Sequence, residues 1–287
     1  MARSHSPFRR TARCLAGTVL AALTVLAGCG APPGPAAAPP GSVTVPAGTL
    51  VQAGQLTYCA DISAPPLAFY DAAQSPTGTE IELGNALAAE LGVRANWANT
   101  SFNGIIPALQ GKQCDAILSQ LYIKPEREAV VDFVPYMYAS NTLLVAAGNT
   151  AINGVADLCG TKAAAQTGTT IIGYFTDQSA TCTSAGRPAI DIRQFAKDSD
   201  ALQQLRLGLV DAYGTTLETA AYVMGQQQGV FRTAGEPFNR IKCGIATRKG
   251  EQALHDALTQ ALAAVQKKGA YTAILTKWNL TGDDITR

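Results

Sequence analysis

The order of strand and helix signals predicts an α/β protein of two lobes, each a mostly parallel sheet flanked by helices. Three observations carry this expectation. From Leu56 the chain runs strand, helix, strand, helix; a similar run opens at Asn153; and an apolar strand at Cys243–Arg248 comes back ahead of a long amphipathic helix. A chain that leaves one α/β unit, builds another and returns requires a discontinuous fold, with two crossing strands near Thr142–Ala147 and Ile241–Thr247 as the hinge.

In chain order, Leu56–Ala60 is an apolar strand. The helix Ile81–Leu91 follows, with Leu83, Leu87 and Leu91 at i, i+4 spacing, acidic Glu80 and Glu82 at its start and Gly92 just past its end. Val93–Trp97 is the next strand, Phe102–Gln110 a short helix stopped by Gly111, and Asp115–Ser119 a buried strand. Pro125-Glu126-Arg127 then turns the chain before Val131-Asp132-Phe133. Thr142–Ala147 leads away to the second unit: strand Thr161–Gln166, helix Thr169–Phe175, helix Asp198–Leu207 capped by Asp198 or Ser199, and strand Leu209–Tyr213. The helix Glu251–Lys268 is the clearest, with Leu254, Leu258, Leu262 and Val265 along one face and two lysines before Gly269.

Four arginines and no acid precede an apolar run from Cys14 to Gly28 of about fifteen residues, short of the roughly 20 that span a bilayer and suited to a signal peptide over residues 1–28. Leu26-Ala27-Gly28-Cys29 resembles a bacterial lipobox, which implies lipid on Cys29 and an extracytoplasmic protein anchored to the cell membrane. Residues 29–49 form a Pro/Ala/Gly-rich linker that holds the body off that membrane. The body of about 235 residues divides into lobe 1, residues 50–145 plus 242–287, and lobe 2, residues 146–241. No segment after the signal is long and apolar enough to span a membrane.

The sequence has 22 basic and 21 acidic residues; without Arg3, Arg9, Arg10 and Arg13, 18 basic residues face 21 acidic ones, a net charge of −3. With no basic stripe, nucleic acid is not an expected partner. Of seven cysteines, five lie in the body. Cys159 and Cys182 share a lobe and are expected to pair, at a gain of about 3 kcal/mol from loop closure. Cys59, Cys114 and Cys243 leave at least one free thiol, and Cys59 and Cys114 read as small apolar residues in or beside strands.

Arg127 falls just past the C-terminal end of a strand, where open α/β sheets bind ligands, and its planar fork matches a carboxylate with two parallel hydrogen bonds. The competing reading is a surface arginine paired with Glu126 or Glu128. Gly104–Gly111, Asp115–Leu118, the Pro-Glu-Arg turn and Val131–Phe133, with Asp61-x-Ser63-Ala64-Pro65-Pro66 before them and Tyr271–Leu280 after, resemble the amino-acid-type solute-binding proteins of bacterial ABC importers, solute-binding protein family 3. That resemblance implies the type II periplasmic-binding-protein fold. It also implies a monomer that captures a small carboxylate-bearing solute, an amino acid or a derivative, by lobe closure and delivers it to ABC permease subunits, with no cofactor, no metal and no enzymatic activity.

By position the resemblance puts Asp61 at the end of the first strand, Phe102 beneath the ligand, Ser119, Gln120 and Tyr122 on the wall, and Arg127 at the carboxylate, with Gly168-Thr169-Thr170 completing carboxylate binding at a helix N-terminus. For Phe102 the alternative is core packing, and for the threonine pair a helix cap. One departure stands out. Thr215 occupies the place where amino-acid receptors carry an aspartate for the ligand's ammonium, and a hydroxyl does not offset the desolvation of that charge. Ala64 stands where an aromatic often covers the ligand, and Glu218 offers a relocated counter-charge or a solvated helix carboxylate. Two alternatives share the fold: a sensory or adaptor lipoprotein, and a lyase resembling cyclohexadienyl dehydratase, which needs a buried acid such as Glu218. The sole histidine after the signal, His255, is expected on the exposed side of the last long helix, which excludes histidine triads and HExxH zinc chemistry.

Overall fold

The computed structural model describes residues 41–287. The expected signal peptide, Cys29 and the first part of the linker lie outside the described residues. The last linker residues already rest on the body: the Val43 amide donates to the Glu90 carbonyl at 2.9 Å, and Val43 and Val45 pack against the core.

The chain begins with β1 (Gln55–Ala60), the short hairpin β2 (Phe69–Tyr70) and β3 (Pro76–Thr77), α1 (Thr79–Glu90), β4 (Arg94–Asn99), α2 (Ile105–Gln110), β5 (Ala116–Ile117) and α3 (Pro125–Glu128). The long β6 (Val131–Ala146) leads into β7 (Lys162–Gln166), α4 (Thr170–Ser184), β8 (Asp191–Phe195), α5 (Asp198–Arg206), β9 (Ala212–Thr216), α6 (Leu217–Gln226) and β10 (Phe231–Thr233). The equally extended β11 (Phe238–Arg248) returns to α7 (Gln252–Lys267) and α8 (Ala270–Lys277).

These strands join in the order β4-β1-β5-β11-β6-β9-β7-β8, with β10 beside β6. β4, β1 and β5 run parallel, as do β9, β7 and β8. The two parallel sets are spliced by the antiparallel pair β6 and β11: Ala246 and Thr247 join β5, while Asn141–Leu144 join β9. This is the two-lobed α/β fold with two crossing strands. Parallel strands between helices bury both faces. Leu143 and Val145 accordingly pack with Phe175 on one side of the sheet, and Leu144 packs with Leu202 and Tyr213 on the other. In the first half the leucine stripe of α1 meets that of α7, so Leu83 and Leu87 share a core with Leu254 and Leu258.

Several local expectations change. The strand expected at Asp115–Ser119 shrinks to Ala116–Ile117, because Asp115 turns its carboxylate to the amides of Val51 and Thr57, each at 2.7 Å. The strand expected at Leu209–Tyr213 lies at Ala212–Thr216, and Leu209 is an exposed turn residue. The helix expected at Thr169–Phe175 continues to Ser184. α5 is preceded by Lys197 at its cap position and has no side-chain cap, so neither Asp198 nor Ser199 caps it. His255 is half-buried rather than exposed, with Nε2 3.3 Å from the Phe133 carbonyl.

Cys159 and Cys182 are bonded as expected, and so are Cys59 and Cys114, a pairing the sequence left open. The parallel neighbours β1 and β5 bring their Cα atoms to 5.6 Å, a spacing that periodicity along the chain does not reveal. Cys243 is free and buried. Among the described residues no helix is long and apolar enough to cross a membrane.

Candidate functional site

A cavity enclosing some 610 Å³ of space, its mouth included, lies where the parallel strand ends of the two halves face each other. Asp61, Phe102, Ser119, Gln120, Tyr122, Arg127, Thr169, Thr170 and Thr215 all line it, as does Ala64.

Pro125 fixes the first turn of α3, which sets Arg127 on the wall. Its Nη1 donates to the Tyr122 carbonyl at 3.1 Å, its Nη2 donates to the Gly168 carbonyl at 3.4 Å, and its charge lies 5.8 Å from the centre of the Phe102 ring. Glu126, the expected alternative partner, instead pairs with Lys124 at 2.6 Å. Arg127 has no acidic partner within ion-pair distance among the described residues, and partial burial lowers its pKa. Two anchored N–H groups fix the fork, and its remaining donors are left for an anion. Opposite, Thr169, Thr170 and Ile171 bring the start of α4 to the cavity. Thr169 is the cap residue but donates its hydroxyl to the Gln166 carbonyl at 2.7 Å, so no side chain occupies the first amides of the helix.

Gly214 makes this close approach possible: a Cβ there would stand 2.4 Å from Ile171 and 2.6 Å from Phe175. Gln120 adopts a left-handed backbone, φ 44°, rare for a residue with a side chain. Its amide donates to Glu80 Oε1 at 2.6 Å and its Nε2 to Glu218 Oε2 at 3.1 Å, which spans the cleft. The Tyr122 hydroxyl donates to Asn141 Oδ1 at 2.9 Å, and Asn141 Nδ2 donates to Thr170 Oγ1 at 3.3 Å. Ser119 Oγ accepts from the Asp61 amide at 3.0 Å.

Asp61 Oδ2 accepts from the Phe102 amide at 3.1 Å and from Gln166 Nε2 at 2.7 Å, and its Oδ1 accepts from the Ser63 hydroxyl; burial still raises its pKa. Thr215 is buried, with Oγ1 2.9 Å from the Tyr213 hydroxyl. Glu218 is buried, not solvated: it bonds Gln120 and the Ser140 amide, and burial pushes its pKa up to about 7. It lies behind Gln120, off the cavity wall.

Sequence reasoning missed two acids on this wall, Glu80 and Asp198. Both stand in the first turn of a helix and so read as partners of a helix dipole or as a cap. Each turns inward instead. Glu80 Oε1 accepts from Gln120 and from the Tyr136 hydroxyl, while Asp198 accepts from the Tyr213 hydroxyl; burial pushes both pKa values up to about 7.

Residues 56–281 match the bacterial extracellular solute-binding proteins, family 3. The L-cystine-binding protein TcyJ of Escherichia coli strain K12 is 31% identical over 238 residues, covering 82% of this chain and 86% of the relative. The L-arginine-binding protein of Pseudomonas aeruginosa is 30% identical, covering 75% of this chain and 83% of the relative. Among solved structures, an ancestral arginine-binding protein bound to glutamine superposes with a TM-score of 0.73 at 33% identity, covering 80% of this chain and 99% of that one. An ancestral amino acid-binding protein described as a precursor of cyclohexadienyl dehydratase gives 0.68 at 34% identity, covering 78% and 95%. With a two-lobed fold, a cavity between its halves and these relatives, the chain belongs to the bacterial extracellular solute-binding proteins of family 3, and it captures a small solute for an ABC importer.

Proposed function

We propose that the solute is a small zwitterion, an amino acid or an amino-acid derivative, held by its carboxylate on Arg127. The observation that carries this reading is the Arg127 guanidinium itself. It is half-buried in the cavity, braced by two backbone carbonyls and a ring, and has no acid beside it among the described residues. The open amides of α4 with Thr169 and Thr170 complete the grip on the anion. Phe102, Ser119, Gln120 and Tyr122 shape the wall. The relatives named for cystine and arginine, and the neighbour bound to glutamine, support the amino-acid class.

In this reading lobe 1 comprises residues 50–145 plus 242–287 and lobe 2 residues 146–241. They close through the bonds that Gln120, Asp61 and Arg127 make across the cleft. The protein acts as a lipid-anchored monomer on Cys29 that hands its ligand to permease subunits, and it binds rather than converts the solute. Glu218, the acid the lyase alternative would use, spends both oxygens on Gln120 and Ser140 behind the cavity wall, which favours binding.

A thermal-shift screen of the purified protein against amino acids, opines, amines and organic acids tests the class, since a ligand raises the melting temperature by mass action. Amino acids should give the largest shifts. Shifts with amines alone, or with none of the four classes, would refute the reading.

A further inference from the structure

We propose that Asp198, with Asp61 facing it across the cleft, clasps the positively charged nitrogen of the ligand and so supplies the charge that Thr215 does not. This rests on the amino-acid reading above and names the group that meets the ammonium.

Both carboxylates line the cavity and come from opposite halves of the molecule, Asp61 from the end of β1 and Asp198 from the start of α5. A single hydroxyl links them: Ser63 donates to Asp61 Oδ1 and accepts from the Asp198 amide at 3.0 Å. Asp198 also takes the Tyr213 hydroxyl, which lies 2.9 Å from Thr215 Oγ1. The acid is therefore two hydrogen bonds, through the Tyr213 hydroxyl, from the place where the family resemblance expected it.

Asp198 is 7% exposed, yet neither it nor Asp61 forms an ion pair among the described residues. The charged groups around them are Lys197, which acts on Asp61, Arg206, which acts on Tyr213 at the far end of α5, and Arg127 and Glu80 on the cavity wall. Glu80 is a separate sign that the wall awaits a donor. It is 1% exposed, Oε1 takes both the Gln120 amide and the Tyr136 hydroxyl, and Oε2 accepts nothing among the described residues.

Closing the lobes brings Asp61 and Asp198 together in a dry site, and like charges there repel. Burial raises both pKa values, and the Asp61 charge raises that of Asp198 further. A cation between them removes the repulsion. Closure thereby becomes conditional on a ligand that carries a positive charge opposite its carboxylate, and a plain carboxylic acid satisfies only the Arg127 end.

The test is calorimetric titration of the wild type and Asp198→Asn with the common amino acids and L-cystine. A deaminated partner is included, glutaramic acid for L-glutamine, which has the carboxylate and the side-chain amide but no positive charge. Asparagine keeps the shape and the bond from Tyr213 and removes the charge. The expected result is a wild type that prefers the amino acid to its deaminated partner. The variant should lose about 30-fold or more for the amino acid, little for the deaminated acid, and nothing in melting temperature. Equal amino-acid affinity in variant and wild type overturns the clasp and leaves the ligand class standing. A wild type that binds no amino acid removes both.

The wild type alone provides a second arm should the variant fail to fold. Protonation of Asp198 competes with the ammonium, so amino-acid affinity should fall between pH 7.5 and 5.5, with protons released on binding. Affinity that stays flat over that range overturns the clasp.

Discussion

The two ends of the cavity are built differently. At the arginine end the parts come as short stretches of sequence: Tyr122 and Arg127 share one turn, Phe102 and Gln120 belong to the same half of the fold, and Gly168, Thr169 and Thr170 are consecutive. At the acidic end Asp61, Ser63, Glu80, Asp198, Tyr213 and Thr215 meet only after the chain has passed through β6 and back along the second sheet. A local cluster leaves a motif in the sequence. A cluster assembled by topology does not.

The largest effect is expected at Arg127. Arg127→Ala should weaken carboxylate binding by two to three orders of magnitude, because it strips the buried anion of its fork while touching no core residue. Calorimetry should find that loss, with a melting temperature within a few degrees of wild type. Arg127→Lys keeps the charge without the fork and should retain part of the affinity, about tenfold below wild type. A lysine variant equal to wild type would reduce that end to a point charge.

The supports beneath the two ends can be separated next. Cys59–Cys114 closes a sequence separation of 55 and ties β1, which leads into Asp61, to the approach of β5, which leads towards Ser119. Replacing both by alanine should destabilise the protein by about 4 kcal/mol in denaturant unfolding and also weaken binding. Cys159–Cys182 closes a separation of 23 at the far end of α4 from Thr170, so its loss should cost about 3 kcal/mol with affinity nearly intact. Equal effects on affinity would mean that the two ends share one scaffold.

Acidity separates the ends in the opposite direction from ligand binding. Burial holds the folded-state pKa of Glu80 and Asp198 at about 7, above the unfolded carboxylate value. The folded state therefore binds more protons than the unfolded chain between these values, and stability is lost as pH rises through about 7. The ligand-free protein should melt at a higher temperature at pH 5.5 than at pH 8. Glu80→Gln should reduce that difference, leaving the share of Asp198 and Glu218, and a wild type that melts higher at pH 8 would contradict the buried acids. The smallest effect is expected at Phe102, whose ring lies under the Arg127 charge: Phe102→Leu should cost about threefold in affinity.

Much of the first half was legible because its helices carry long leucine stripes and its strands are apolar, as at Leu83, Leu87 and Leu56–Ala60. The arginine end followed from the Pro-Glu-Arg turn and the strand before it. β8 went unseen because Asp191 and Arg193, paired at 2.6 Å, make it a polar strand at the end of the sheet. Glu80 and Asp198 were hidden for another reason. An acid in the first turn of a helix has an ordinary explanation in the helix dipole, and only the packing of Tyr136 and Tyr213 decides that these two face inward. Glu218 was misjudged in the same way, since the sequence does not disclose which face of α6 lies under Gln120.

The most direct test is a crystal structure of the protein with the amino acid that stabilises it most. Electron density for that solute is expected in the cavity, with both carboxylate oxygens about 3 Å from the Arg127 guanidinium nitrogens and the lobes closed. A ligand seated with Arg127 facing solvent or an uncharged group would contradict it.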